Sequence, residues 1–181
     1  GKITVVGREL DKIYLENVRQ QAIYPELFEK VAETLKIVYT PLHGAGYKLV
    51  PEVFSRMGLK YLYTVPEQMT PDGNFPTVAK PNPEYSAVFE LGIAIANKQG
   101  SDLVIATDPD SDRVGDVSRD RDGKFKTISG NQMGALLLDY VIKERKASSK
   151  LPEYAFAVKS IVSTDMAYKI CESNNIKLHD V

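Results

Sequence analysis

Between residues 36 and 107 the sequence switches repeatedly between two periodicities, and few folds accept that. Lys36-Ile37-Val38-Tyr39-Thr40 is a short β-branched run, and the Tyr- and Leu-rich stretch 59–65 reads as the next strand. Residues 47–57 carry helical spacing and stop at Gly58, a residue suited to a left-handed helix end. A further helix is marked by Asn82 as N-cap, Pro83 at its first position and Glu84 in its first turn. Val88, Leu91, Ile95 and Ala96 make that helix apolar over much of its circumference, so a sandwiched position is expected. The apolar run Leu103-Val104-Ile105-Ala106 closes the series. Strand, helix, strand, helix, strand calls for parallel strands joined by helical crossovers and covered on both faces. The expected fold is α/β: a three-layer α/β/α sandwich with a mixed, largely parallel sheet, plus an incomplete second α/β unit.

Flanking segments extend this core. Helical spacing covers residues 9–21 and 25–35, whereas residues 2–6 read as an edge strand or a leader. Downstream, residues 113–118 alternate like a strand and meet Asp122-Gly123, a hairpin signal, before the strand 124–128. The texture changes at Ser129-Gly130-Asn131. A helix follows over 132–145, with Met133, Leu136, Leu137, Tyr140 and Val141 on one face. Residues 154–159 then read as a strand, Thr164-Asp165 opens a helix through Cys171, and a strand starts at Ile176. Two domains are therefore expected, 1–128 and an incomplete 129–181. The chain opens on Gly1 rather than Met and stops at Val181 without a closing element, so it is expected to be a piece of a longer protein.

Composition narrows the function classes. The formal charge of the 181 residues is -1, and Lys and Arg are scattered, so neither nucleic acid nor an anionic membrane is favoured. Hydrophobic content of 43% with 26% charged residues is that of a soluble globular protein. One cysteine, Cys171, allows no internal disulfide and no cysteine-rich metal site; its apolar helical setting reads as a buried structural thiol. With no signal peptide and no membrane-spanning run, the expected location is cytoplasmic.

The chemistry concentrates in Asp108-Pro109-Asp110-Ser111-Asp112-Arg113, directly after a buried strand. Three carboxylates at alternate positions repel one another unless a cation joins them. Hard oxygen ligands in this number suit Mg²⁺, Mn²⁺ or Ca²⁺, with an anionic ligand completing the shell. A solvated acidic turn cornered by Pro109 is the plain alternative. An EF-hand is excluded, because its obligatory glycine and glutamate positions hold Arg113 and Arg119. A haloacid-dehalogenase-type phosphotransferase with Asp108 as nucleophile stays open, although Asp112 stands where that motif has Thr or Val.

Two other segments follow strands. The turn Thr40-Pro41-Leu42-His43-Gly44-Ala45-Gly46 leads into a helix, as anion-binding turns do, but it is neither a dinucleotide fingerprint nor a P-loop. Residues 66–78 form a long loop whose Pro71-Asp72-Gly73-Asn74 has turn chemistry; its prolines and Phe75 favour order. Parallel strands would bring all three segments to one rim, where ligands of α/β sheets bind. His43 and Gly44 are the candidate rim residues there.

Thr40-Pro41-Leu42-His43-Gly44-Ala45-Gly46, Pro71-Asp72-Gly73-Asn74-Phe75-Pro76, Pro81-Asn82-Pro83-Glu84 and Asp108-Pro109-Asp110-Ser111-Asp112-Arg113 occur in this order. Together they resemble the α-D-phosphohexomutases of the long phosphoglucomutase/phosphomannomutase type. The likeness runs over nearly the whole chain, covering that family's second domain and the first part of its third. It implies a Mg²⁺-dependent phosphotransfer between O1 and O6 of a hexose phosphate, through a phosphoserine and a hexose bisphosphate. By the same resemblance Asp108, Asp110 and Asp112 bind Mg²⁺, a phosphoserine oxygen completes the site, and Arg113 contacts the phosphoserine or the bound phosphosugar. A local salt bridge is the alternative role for Arg113. The family's phosphoserine loop, sugar-recognition loop and phosphate clamp are not found in these 181 residues. No catalytic residue is therefore expected in this chain, which should be inactive alone and complemented by further domains of the same polypeptide. A non-catalytic interaction module is the remaining alternative.

Overall fold

The computed structural model describes residues 1–181 and divides them into two compact units, Gly1–Ile128 and Ser129–Val181. In the first unit, helices α1 (Gly7–Arg19) and α2 (Pro25–Val31) precede β1 (Lys36–Thr40). Then come α3 (Leu49–Arg56), β2 (Tyr61–Thr64), α4 (Glu90–Gln99), β3 (Leu103–Thr107), β4 (Val114–Arg119) and β5 (Phe125–Ile128). The five strands form one mixed sheet of order β2-β1-β3-β4-β5. β1 runs parallel to both β2 and β3, and the β3–β4 and β4–β5 pairs are antiparallel.

Alternation along the strands divides the side chains between the two faces. Val38 and Val104 are buried and point toward α4, whose Gly92 approaches so closely that a Cβ there would stand 2.6 Å from Val104 Cγ1. Val38, Leu42, Val65, Val88, Phe89, Ala96, Val104, Ala106 and Val117 make up the core on this side. Tyr39 points the other way, against the 3₁₀ turn Ala45–Tyr47 that leads into α3.

Several sequence-based expectations need correction. Residues 2–6 form no strand: they pair with nothing, and Ile3 and Val5 are exposed. The helix expected over 25–35 ends at Val31, because the Ala32 carbonyl accepts the Lys60 amide rather than continuing the helical ladder. No helix starts at Asn82. Its side chain accepts the Glu84 amide (2.9 Å), but Tyr85 is extended, so the cap chemistry closes only a local turn. A 3₁₀ segment, Ser86–Phe89, then leads into α4, which is one-sided rather than sandwiched: Gly92 and Ala96 are buried and Leu91 is exposed.

The second unit holds α5 (Gly130–Ala147), β6 (Phe156–Lys159), α6 (Met166–Ser173) and β7 (Lys177–Asp180). Ser129 and Gln132 form a reciprocal capping box at the start of α5. β6 and β7 pair in parallel, with α6 as their crossover. The buried face of α5 is Ala135 and Ile142, not the expected one: Leu136, Leu137 and Tyr140 are exposed. Cys171 is buried within α6, and burial pushes its thiol pKa up. No helix is long and apolar enough to cross a membrane.

Candidate metal centre

Because β1, β2 and β3 are parallel neighbours, the segments following them leave from one edge of the sheet. Strain gathers there. Leu42 (φ 48°) and His43 (φ 63°) are consecutive left-handed residues, and Phe75 (φ 47°) and Ser111 (φ 63°) lie in the other two segments. Non-glycine residues keep such conformations only where the surroundings over-determine them.

A closed relay of side chains provides that constraint. The Leu42 amide donates to Thr40 Oγ1 (3.1 Å), which donates to Gln68 Oε1 (2.5 Å). Gln68 Nε2 donates to Thr77 Oγ1 (2.9 Å), itself 2.9 Å from His43 Nε2, and His43 Nδ1 lies 3.1 Å from the Thr70 carbonyl. A carbonyl only accepts, so Nδ1 carries a proton, and the contact of Nε2 with the Thr77 hydroxyl completes the relay. Backbone bonds from His43 N to Gln68 O (2.9 Å) and Asp72 N to His43 O (3.2 Å) lace the same two segments. His43 is therefore a buried tie between the β1 turn and the 66–78 loop, with both ring nitrogens engaged.

The acidic loop folds on itself. Asp108 is buried, and its Oδ1 accepts the Arg113 amide (2.9 Å). The Ser111 amide donates to the Asp108 carbonyl (3.0 Å). These bonds make one ligand oxygen from each of Asp108, Asp110 and Asp112 lie within 4.8 Å of the others. Arg113 Nε stands 3.8 Å from both Asp108 Oδ2 and Asp112 Oδ1. One guanidinium against three carboxylates leaves the loop in excess negative charge. An all-oxygen set with one buried, fixed member and two exposed ones suits a hard divalent cation that keeps part of its shell open.

The β1 turn supports this loop directly. The Ala45 amide donates to the Pro109 carbonyl (2.7 Å), and Gly44 lies on the Pro109 backbone. Beneath, the Tyr39 hydroxyl is 2.9 Å from Thr107 Oγ1, and burial pushes the Tyr39 phenol up to about 12.

Sequence reasoning missed Gln68, fully buried at the centre of the relay, and Lys159 in the second unit. Lys159 is buried at the carboxyl end of β6, pairing with Asp180 (2.9 Å) and Asp165 (3.5 Å) over the Tyr168 ring. Its hydrogen bond to Asp180 raises its pKa. It borders a cavity of about 340 Å³ lined also by Asn131, Ser160, Ser163 and Thr164. The signal was available: a lysine ending an apolar strand is rarely idle.

The fold and loop define an α/β domain presenting an acidic loop at the carboxyl edge of its sheet. The chain belongs to the phosphoglucomutase/phosphomannomutase family: residues 12–127 match its alpha/beta/alpha domain II. Over 181 residues it is 35% identical to a phosphoglucomutase of Staphylococcus saprophyticus, covering 100% of this chain and 31% of that protein. Its fold is similar to that of a phosphoglucomutase/phosphomannomutase family protein from Burkholderia thailandensis (TM-score 0.63, 20% identity, 87% of this chain and 32% of that one). It is similar too to Aspergillus fumigatus N-acetylphosphoglucosamine mutase, solved in complex with GlcNAc-6P and magnesium (TM-score 0.52, 13% identity, 88% and 31%). The chain thus spans about a third of the length of these relatives.

Proposed function

We propose that this chain supplies the Mg²⁺ centre of a phosphohexomutase that interconverts hexose 1-phosphate and hexose 6-phosphate through a phosphoserine and a hexose bisphosphate. One observation carries the reading: the oxygens of Asp108, Asp110 and Asp112 gather within 4.8 Å at the carboxyl edge of the sheet. Asp108, Asp110 and Asp112 would hold the ion, which supplies Lewis-acid neutralisation of charge on a transferring phosphoryl group. Asp108, oriented by the Arg113 amide, is the fixed ligand, and exposed Asp110 and Asp112 complete the set. Arg113 is half exposed and held only loosely by its two carboxylates, so its remaining N–H groups are free to meet a phosphoryl oxygen.

The phosphoserine and the sugar-recognition loops belong to other domains of the same polypeptide, and residues 129–181 are the start of its third domain. The 181-residue chain is accordingly inactive alone, and the full enzyme works in the cytoplasm. Magnesium and GlcNAc-6P in the Aspergillus relative's structure support this ligand chemistry. Asp108 as a phosphatase-type nucleophile fits poorly, because its carboxylate is buried and bonded to the Arg113 amide.

Calorimetric titration with Mg²⁺ and Mn²⁺ tests the reading. The wild-type chain binds weakly, without its phosphoserine ligand, and Asp110→Asn abolishes the heat. Equal binding by the two proteins would contradict it.

A further inference from the structure

Under the acidic loop three hydroxyls converge on one glycine. A Cβ at Gly46 would overlap the Tyr39 hydroxyl and stand 2.9 Å from both Ser111 Oγ and Thr107 Oγ1. Tyr39 is fully buried in β1, and its hydroxyl bonds across the sheet to Thr107 Oγ1 at 2.9 Å. Thr107 immediately precedes Asp108, so that bond acts on the last backbone unit before the first carboxylate. The arc above is held at two further points. Pro109 is bonded by the Ala45 amide (2.7 Å), and Ser111, left-handed at φ 63°, rests on Gly46.

We propose that Tyr39 is a positioning residue for the metal loop: its hydroxyl, through Thr107 and the niche at Gly46, holds the loop where its three carboxylates meet. The proposal rests on the metal reading above, and Tyr39 itself touches no ligand. Removing the hydroxyl leaves the buried Thr107 without this partner and opens a gap beneath the loop. A loosened loop must then be ordered by the cation, which lowers affinity.

The test uses the 181-residue chain as wild type, Asp110→Asn, Tyr39→Phe, Thr107→Val and Thr107→Ser. Free Mn²⁺ is followed by its paramagnetic resonance signal, and amide hydrogen exchange by NMR without metal. Loss of one buried hydrogen bond converts to roughly a three- to ten-fold weaker Mn²⁺ affinity in Tyr39→Phe and Thr107→Val. Exchange accelerates at the Ser111 and Arg113 amides but not at Val38 or Val104, and Thr107→Ser keeps wild-type behaviour in both readouts. Wild-type Mn²⁺ affinity in Tyr39→Phe overturns the proposal, as does acceleration spread equally to Val38 and Val104, which marks a general stability role. A wild type that binds Mn²⁺ no better than Asp110→Asn overturns the metal reading instead. Exchange at Ser111 and Arg113 then decides alone whether Tyr39 positions the loop.

Discussion

Gly44 leaves no room for a side chain against Pro109: a Cβ there would stand 2.5 Å from the Pro109 carbonyl oxygen and 2.7 Å from its carbonyl carbon. That oxygen also accepts the Ala45 amide at 2.7 Å. Two residues from different strand ends thus share one contact, and the β1 turn becomes the shelf on which the acidic loop sits.

Gly44 is extended (φ −105°, ψ −173°), a conformation alanine adopts freely, so only the clash opposes a substitution. Gly44→Ala should cost about 1–3 kcal/mol of unfolding free energy, as overpacking does. Chemical denaturation followed by circular dichroism measures it. A neutral Gly44→Ala would show that the two segments part without cost.

The relay through Gln68 makes a second prediction. Gln68→Ala leaves the buried Thr40 hydroxyl proton without its acceptor, which costs about 1–3 kcal/mol. Thr40→Val removes that hydroxyl but also the acceptor of the Leu42 amide, so the double variant should lose less than the sum of the two single variants rather than nothing. Urea unfolding of the single and double variants reads this coupling.

Alkaline pH isolates Tyr39. Its folded pKa is raised to about 12, against about 10 for an unfolded tyrosine. Above the unfolded value the unfolded chain loses a proton that the native chain keeps, so this stabilisation is fully present below pH 10 and fades as pH rises toward 12. A shift of that size corresponds to at most about 3 kcal/mol. Wild type should therefore lose stability faster than Tyr39→Phe over this window. Parallel pH profiles of the two proteins would contradict the burial of the phenol.

Acid acts on the second unit with the opposite sign. The Lys159 and Tyr168 hydrogen bonds lower the Asp180 pKa, so its contribution is present above the unfolded carboxylate value and is lost as pH falls through the lowered one. Asp180→Asn should flatten the acid limb of the unit's unfolding curve. An unchanged acid limb would mean that the pair adds nothing there.

Much of this architecture is legible in the chain itself. β1 and β3 stand where runs of Ile, Val, Tyr and Thr are bounded by polar turns, and Asp122-Gly123 marks the β4–β5 hairpin because its turn demands those residues. The carboxylate cluster is equally local, since three of six consecutive residues create it. What escapes the sequence is long-range. His43 looks like a rim residue until its two ring partners arrive from 27 and 34 positions away. The cap at Asn82 is satisfied in full, yet the extended Tyr85 stops a helix from following. α5 offers apolar residues on more than one side, and only its packing partners select Ala135 and Ile142 for burial.

The proposed cation site is the Asp108–Asp112 loop, whose three carboxylates lie within 4.8 Å of one another. Mn²⁺-induced broadening of backbone amide NMR signals tests it residue by residue. Broadening should centre on the amides of residues 108 and 110–113 and on the adjoining Gly44 and Ala45 amides at substoichiometric Mn²⁺, and should be lost in Asp110→Asn. Broadening spread over other acidic turns such as 120–122, or unchanged in Asp110→Asn, would contradict it.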